Sequence, residues 1–214
     1  METSKVLNLI LAVALVVLSV KITFLDSDKG GGAANGECDT AQIVLDNIMT
    51  RTSIRDYTQQ KVEKEKIETI LRAGMAAPTA RNCQPWSFVV IDNEEMLQKI
   101  AEVMPNAKMT SKASFAVAVC GNMDKAMEGD GREYWVQDVS AVSENILLAA
   151  HGMGLGAVWT GVYPIKARMQ SLSDILSLPE NIVPFCVIPV GYPAESPLPK
   201  DKWKPENVHY NTWQ

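Results

Sequence analysis

The chain has little from which to build a metal site or a disulfide framework. Its 214 residues include two histidines, His151 and His209, and four scattered cysteines, Cys38, Cys83, Cys120 and Cys186, with no CxxC pair. That spacing offers no ligand set for a metal, and none is expected. Long basic runs are also absent, and the net charge is −5; both argue against nucleic acid as a partner. No GxGxxG follows a strand pattern. Gly152-Met153-Gly154-Leu155-Gly156 comes after a helical stretch and before a strand, the reverse of the order a dinucleotide-binding turn needs.

The composition that is present, 47% hydrophobic and 21% charged, is that of a globular protein long enough to bury a core unaided. The N-terminus is a different material. Val6 to Val20 carries no charge, and apolar residues resume at Ile22; this length suits a membrane-spanning helix or a secretory signal core. Residues 1–25 are therefore expected to form a transmembrane anchor or signal segment, 26–39 a Gly-rich linker and 40–214 the folded domain. On this reading the protein is membrane-anchored or exported in a bacterial cell. Lys5 and the amino terminus on one side balance Lys21 and Lys29 on the other, so the side of the membrane stays open.

Periodicity predicts a helix capped by Asp39 or Thr40 and a second over about Val62 to Met75, ended by Pro78. Further helices follow Asn93, run from Asp138 to His151, and carry Ile165, Met169, Leu172 and Leu176. Strands are expected at Trp86–Ile91, Phe115–Cys120, Ala157–Thr160 and Phe185–Val190, with Pro189 marking an edge or a bulge. Strands separated by helices imply layered α/β architecture.

Two segments carry the chemistry. In extended geometry residues two apart face the same way, so Arg51, Ser53 and Arg55 can converge on one phosphate. Charged hydrogen bonds of that kind contribute about 1.5–3 kcal/mol each. In the loop Ala77 to Trp86, the amides of Asn82 and Gln84 lie between Pro78 and Pro85. Side-chain amides match the carbonyls and N–H along one side of a flavin ring, and the prolines stiffen the loop. Together the segments suggest bound flavin mononucleotide (FMN) and redox chemistry. Trp159-Thr160-Gly161 ends a strand, where a glycine lets backbone approach a planar ligand. Cys83 is better read as part of the amide loop than as a nucleophile. Lys200 and Lys202 by themselves read as surface residues. His151 is expected at a helix C-terminus, where a charged imidazole is favoured, and Tyr134 and Trp135 in the core, at an interface or as a wall of the substrate pocket.

These pieces resemble the bacterial nitroreductase family of FMN-dependent oxidoreductases from about Ile43 to Trp213. The matching strings are Arg51 to Tyr57, Ala77-Pro78-Thr79 with Asn82 to Trp86, Glu144 to His151, Gly154 to Gly161, and the tail from Gly191 to Tyr210. The resemblance implies an α+β fold with a central mixed sheet flanked by helices, in an intertwined homodimer whose C-terminal tails embrace the other subunit. It implies that Arg51, Thr52, Ser53 and Arg55, with Lys200 and Lys202, hold the phosphate and ribityl chain of FMN. Pro78, Thr79, Asn82 and Gln84 would surround the ring, and Trp159, Thr160 and Gly161 would lie near its reactive side. NAD(P)H would give hydride to flavin N5 and leave, and a nitroaromatic, quinone or similar small-molecule acceptor would take its place in a ping-pong cycle needing no protein acid or base. Thr52 replaces a second basic residue, and Lys202 an arginine, of many members. Two other readings stand beside this one: a reductive dehalogenase-like or other flavin enzyme of the same fold, with Met123 to Tyr134 as lid, and a membrane-tethered flavin-binding or sensing protein without substantial turnover.

Overall fold

The computed structural model describes residues 39–213. The chain divides into two units, Met1–Val44 and Leu45–Gln214. Of the first, the described residues open helix α1 (Thr40–Thr50), where the Asp39 carboxylate accepts from the Ala41 and Gln42 N–H groups at 3.1 and 3.3 Å. The expected segment 1–25 and linker residues 26–38 lie outside the described residues.

The second unit is an α+β layer structure. Its sheet contains β1 (Trp86–Ile91), β2 (Phe115–Asn122), β3 (Gly156–Ala157), β4 (Thr160–Gly161) and β5 (Ile182–Gly191). The order is β1-β2-β5-β3, with β4 also pairing β5. All of these ladders are antiparallel, and parallel pairing enters through the isolated bridge Ser53–Ala157. Helices α2 (Lys64–Met75) and α4 (Tyr134–Gly152) bear on one core, and α3 (Glu94–Val103) and α5 (Lys166–Leu176) on the other.

The sequence of β2 shows why the sheet can be buried on both faces. Side chains alternate along a strand. Phe115, Val117 and Val119 join Ile70, Val139, Val142 and Ile146 on one side. Ala116, Ala118 and Cys120 face Leu97, Ile100 and Leu172 on the other. Large and small residues thus sort by face. Burial pushes the Cys120 and Cys186 thiols up to about 12, which leaves both protonated and inert as nucleophiles.

Some local details depart from the periodicity. The expected strand over 157–160 is broken at Val158 and Trp159, leaving β3 and β4. Pro189 lies in a strand paired on both sides, not at an edge. It needs no N–H there because it faces the interruption: β3 pairs as far as Val190 and β4 resumes at Val187. The buried Tyr57 hydroxyl, 2.8 Å from the Ile54 carbonyl, also lies 3.2 Å from the Pro189 carbonyl in that gap and shares its one proton between them. A bulge does occur, opposite Val119 and Cys120, where the register skips Phe185. Helix α4 begins at Tyr134, one turn earlier than expected, because Trp135 is buried, edge-on to Tyr163 and Phe185.

Candidate functional site

The Arg51 to Tyr57 segment is held as an extended ribbon from both sides. The Ile54 N–H donates to the Ala157 carbonyl at 3.0 Å, Thr58 N–H to Tyr192 and Ala194 N–H to Asp56. Close approach to β3 is possible because residue 156 is glycine: a Cβ there would sit 2.5 Å from Ile54 Cγ2. The Glu195 carboxylate accepts from the Arg55 and Asp56 N–H groups. Arg51, Thr52 and Ser53 are half-buried and Arg55 is exposed. Arg51 Nε lies 3.5 Å from Glu144 Oε1 on α4, and Arg55 Nη1 donates weakly to the Ser53 carbonyl at 3.5 Å.

The loop carrying Pro78, Thr79, Asn82 and Gln84 is strained. Arg81, Asn82 and Gln84 have φ of 51°, 55° and 50°, three of the five positive-φ non-glycine residues among the described residues. Left-handed backbone disfavours side chains by about 1–2 kcal/mol per residue, less for asparagine, so surrounding contacts must impose it. Ala80 N–H donates to Asp138 Oδ1 on α4 at 2.9 Å. Gln84 N–H donates to Thr79 Oγ1 at 3.3 Å, and Gln84 Nε2 to Asn82 Oδ1 at 3.1 Å. Pro78, Asn82 and Gln84 face solvent and Thr79 is half-buried. Cys83 is half-buried in the same loop.

Trp159 packs edge-on against Phe185, ring centroids 5.4 Å apart. Thr160 is buried, and its hydroxyl donates to the Val187 carbonyl at 2.6 Å. Gly161 borders open space, with nothing within 4 Å of a Cβ built on it. Its carbonyl is fixed by Asn106 Nδ2 at 3.2 Å and Arg168 Nη1 at 3.0 Å. Lys200 and Lys202 are exposed. Among the described residues, no hydrogen bond or ion pair joins them to Arg51, Ser53 or Arg55.

His151 lies in the last turn of α4, as expected, but with its charged form disfavoured. Its Nε2 lies 3.0 Å from Thr50 Oγ1. Burial, then the nearby Arg51 charge, holds its pKa below the ordinary value, outweighing the attraction of a helix C-terminus. A depressed folded-state pKa means that protonation opposes folding. His151 therefore contributes stability above its unfolded pKa, near 6.5, and this is lost as pH falls toward the folded value. Unfolding midpoints compared at pH 7.5 and pH 5.5 should show a smaller acid loss in His151→Gln than in the parent. Equal losses would remove His151 from the account.

Helix α4 is what brings the segments together. Asp138 holds the amide loop, Glu144 touches Arg51 and His151 touches Thr50. Asp138 and Glu144 are six residues apart, roughly 9 Å along the axis. The sequence reading missed Asp138, Glu195, Asn106 and Arg168 as contributors. For Asp138 a signal exists: it lies on the apolar stripe of Trp135, Val139, Val142 and Ile146. Taking it as the first residue of the helix hid that. Glu195 and Asn106 act on backbone groups supplied by distant segments and Arg168 on Gly161, seven residues before it, and no spacing announces these pairings.

The Nitroreductase family model matches residues 48–117 and 102–192. A Methanothermobacter thermautotrophicus protein provisionally named NADH dehydrogenase/NAD(P)H nitroreductase is 48% identical over 170 residues, 79% of this chain and 87% of that protein. A crystal structure under the same provisional name from Bacteroides thetaiotaomicron is 47% identical with a TM-score of 0.75, covering 79% of this chain and 98% of that one. An FMN-dependent nitroreductase from Clostridium difficile is 26% identical with a TM-score of 0.73, covering 79% and 99%. These matches correct the expected localisation: membrane attachment or export has no support in the family match. Among the described residues no helix is long and apolar enough to cross a membrane, and the apolar segment that prompted the expectation lies outside them. With its fold, its motifs in order and these relatives, the chain belongs to the Nitroreductase family and is an oxidoreductase of that type.

Proposed function

We propose that residues 40–214 form an FMN-dependent oxidoreductase domain that takes electrons from NAD(P)H and reduces nitroaromatic, quinone or similar small acceptors. The observation that carries this is the docking of two chemically matched segments on one helix. The cationic Arg51–Arg55 ribbon meets α4 at Glu144, and the Asn82–Gln84 amide loop meets it at Asp138. The donor set suits the cofactor. Two guanidinium groups and a hydroxyl in one half-exposed ribbon fit a dianionic phosphate. Outward amides fit the polar side of a planar ring, and the open space at Gly161 lets a ring lie against backbone. Bound FMN supplies hydride acceptance and donation at N5. The residues around it bind and orient, and donor and acceptor use the same face in turn, which gives ping-pong kinetics.

The working unit in this proposal is a homodimer. In the single chain the tail leaves Leu198, Trp203, Tyr210 and Trp213 between 70% and 88% exposed, and α1 leaves Leu45 and Met49 at 53% and 70%. Apolar surface of this extent marks an interface. A tail crossing to a second copy would cover it and carry Lys200 and Lys202 to the partner's phosphate.

The test is a visible spectrum of the purified full chain before and after anaerobic NADH or NADPH. Flavin bands that bleach support the proposal. Bands that persist would indicate another donor or a sensing role, and a chain that fails to bind added FMN would overturn it. Gly161 gives a sharper check. Because a Cβ there has nothing within 4 Å, Gly161→Ala should leave the apoprotein's melting temperature within a few degrees. It should weaken FMN binding at least tenfold by filling the space proposed for the ring. Unchanged binding would move the ring elsewhere.

A further inference from the structure

Asp138 is the only carboxylate among the residues buried within the described part of the chain, 6% exposed. No cation lies within ion-pair distance of it among the described residues. Such a group is costly to bury, and hydrophobic packing of α4 gains nothing from it: its neighbours on that face are Trp135, Val139 and Val142. Its carboxylate instead accepts from the backbone N–H of Ala80, Oδ1 lying 2.9 Å away. Ala80 opens the tight turn Ala80–Asn82. Arg81 and Asn82 follow at positive φ, and Gln84 does so again after Cys83. Strained backbone persists where its surroundings over-determine it. The local ties from Asn82 N–H to Thr79 and from Cys83 N–H to Ala80 lie within the loop and move with it. The Asp138 carboxylate, by contrast, is rooted in a rigid helix, and a bond from a charged acceptor is about twice as strong as a neutral one.

We propose that Asp138 is the positioning residue of the flavin-ring loop: its carboxylate holds the Ala80 N–H and so sets the left-handed path that turns the Asn82 and Gln84 amides outward. This rests on the reading of those amides as ring contacts. It adds a residue that touches neither flavin nor substrate and acts through the loop alone.

The consequence separates ring from phosphate. A change at Asp138 should weaken FMN and riboflavin, which lacks the phosphate, by the same factor. Dissociation constants for both are measured on the full chain by quenching of flavin fluorescence, beside thermal unfolding of the apoprotein. Asp138→Ala removes the acceptor and should raise both constants tenfold or more. Asp138→Asn keeps an uncharged acceptor and should raise both about threefold. That graded, equal loss supports the proposal. An alanine variant that melts lower yet binds both flavins as the parent does would make Asp138 a structural residue only and overturn it. So would a loss confined to FMN. If the alanine variant does not fold, the asparagine variant decides on the same terms, with unchanged constants counting against. A parent chain that binds neither flavin would sink the underlying reading itself, whereas parent binding with unaffected variants sinks this proposal alone.

Discussion

Replacing Arg51 by alanine is expected to raise the dissociation constant for FMN about ten- to a hundredfold while leaving that for riboflavin within about threefold. Loss of a charge-assisted contact costs about 1.5–3 kcal/mol, and each 1.4 kcal/mol is about tenfold in affinity. Arg51 is the stronger test of the two ribbon arginines because its side chain is only 18% exposed, where solvent screens less. Its removal also leaves Glu144 as an unopposed negative charge beside the proposed phosphate. Lysine at the same position should recover part of the loss, since it keeps the charge without the planar fork. A second readout is internal: Arg51 is one cause of the low His151 pKa, so His151 should titrate closer to its ordinary value in the variant. Equal losses for FMN and riboflavin would show that Arg51 acts on the shape of the site and not on a phosphate.

Phe115→Ala should lower the unfolding free energy of the apoprotein by about 3–5 kcal/mol, a large part of the 5–15 kcal/mol typical of a domain. Phe115 is fully buried. It stands opposite Val190 in β5, Val190 stands opposite Ala157 in β3, and Ala157 bridges Ser53. One register row therefore runs from the centre of the core to the Arg51–Arg55 ribbon, and a cavity at one end should loosen the other. Denaturant unfolding at fixed protein concentration measures the loss. Val90→Ala, on a strand position 38% exposed, serves as the control, with an expected change below about 1 kcal/mol. A Phe115 variant as stable as that control would mean that the sheet centre carries far less of the fold than its burial implies.

How much of this was legible depended on the range of the interaction. The Asn93 cap of α3 was readable because cap and helix are adjacent: Asn93 Oδ1 accepts the Met96 N–H at 3.0 Å. The strand β2 was readable from FAVAVC alone. Pro189 misled, because a proline is barred from the middle of a sheet only where a partner strand needs its N–H, and whether one does depends on a gap created by residues 158 and 159. The N-terminal apolar run, which lies outside the described residues, prompted a localisation that the family match does not support. Length and hydropathy describe what such a segment could do, and say nothing of what the following domain belongs to.

The sequence by itself determined the family and, with it, the type of oxidoreductase. Side-chain types, their two-residue spacing and the capping residues are local properties, and local geometry follows from them. The tertiary structure alone decided which backbone groups those side chains meet. Asp138 reaching Ala80, Glu195 reaching Arg55, and Asn106 and Arg168 reaching Gly161 join residues from 7 to 140 positions apart. Any such pairing is one of very many that composition allows. Packing α4 against the sheet selects among them, because each buried polar group must find its partner within a core that excludes water.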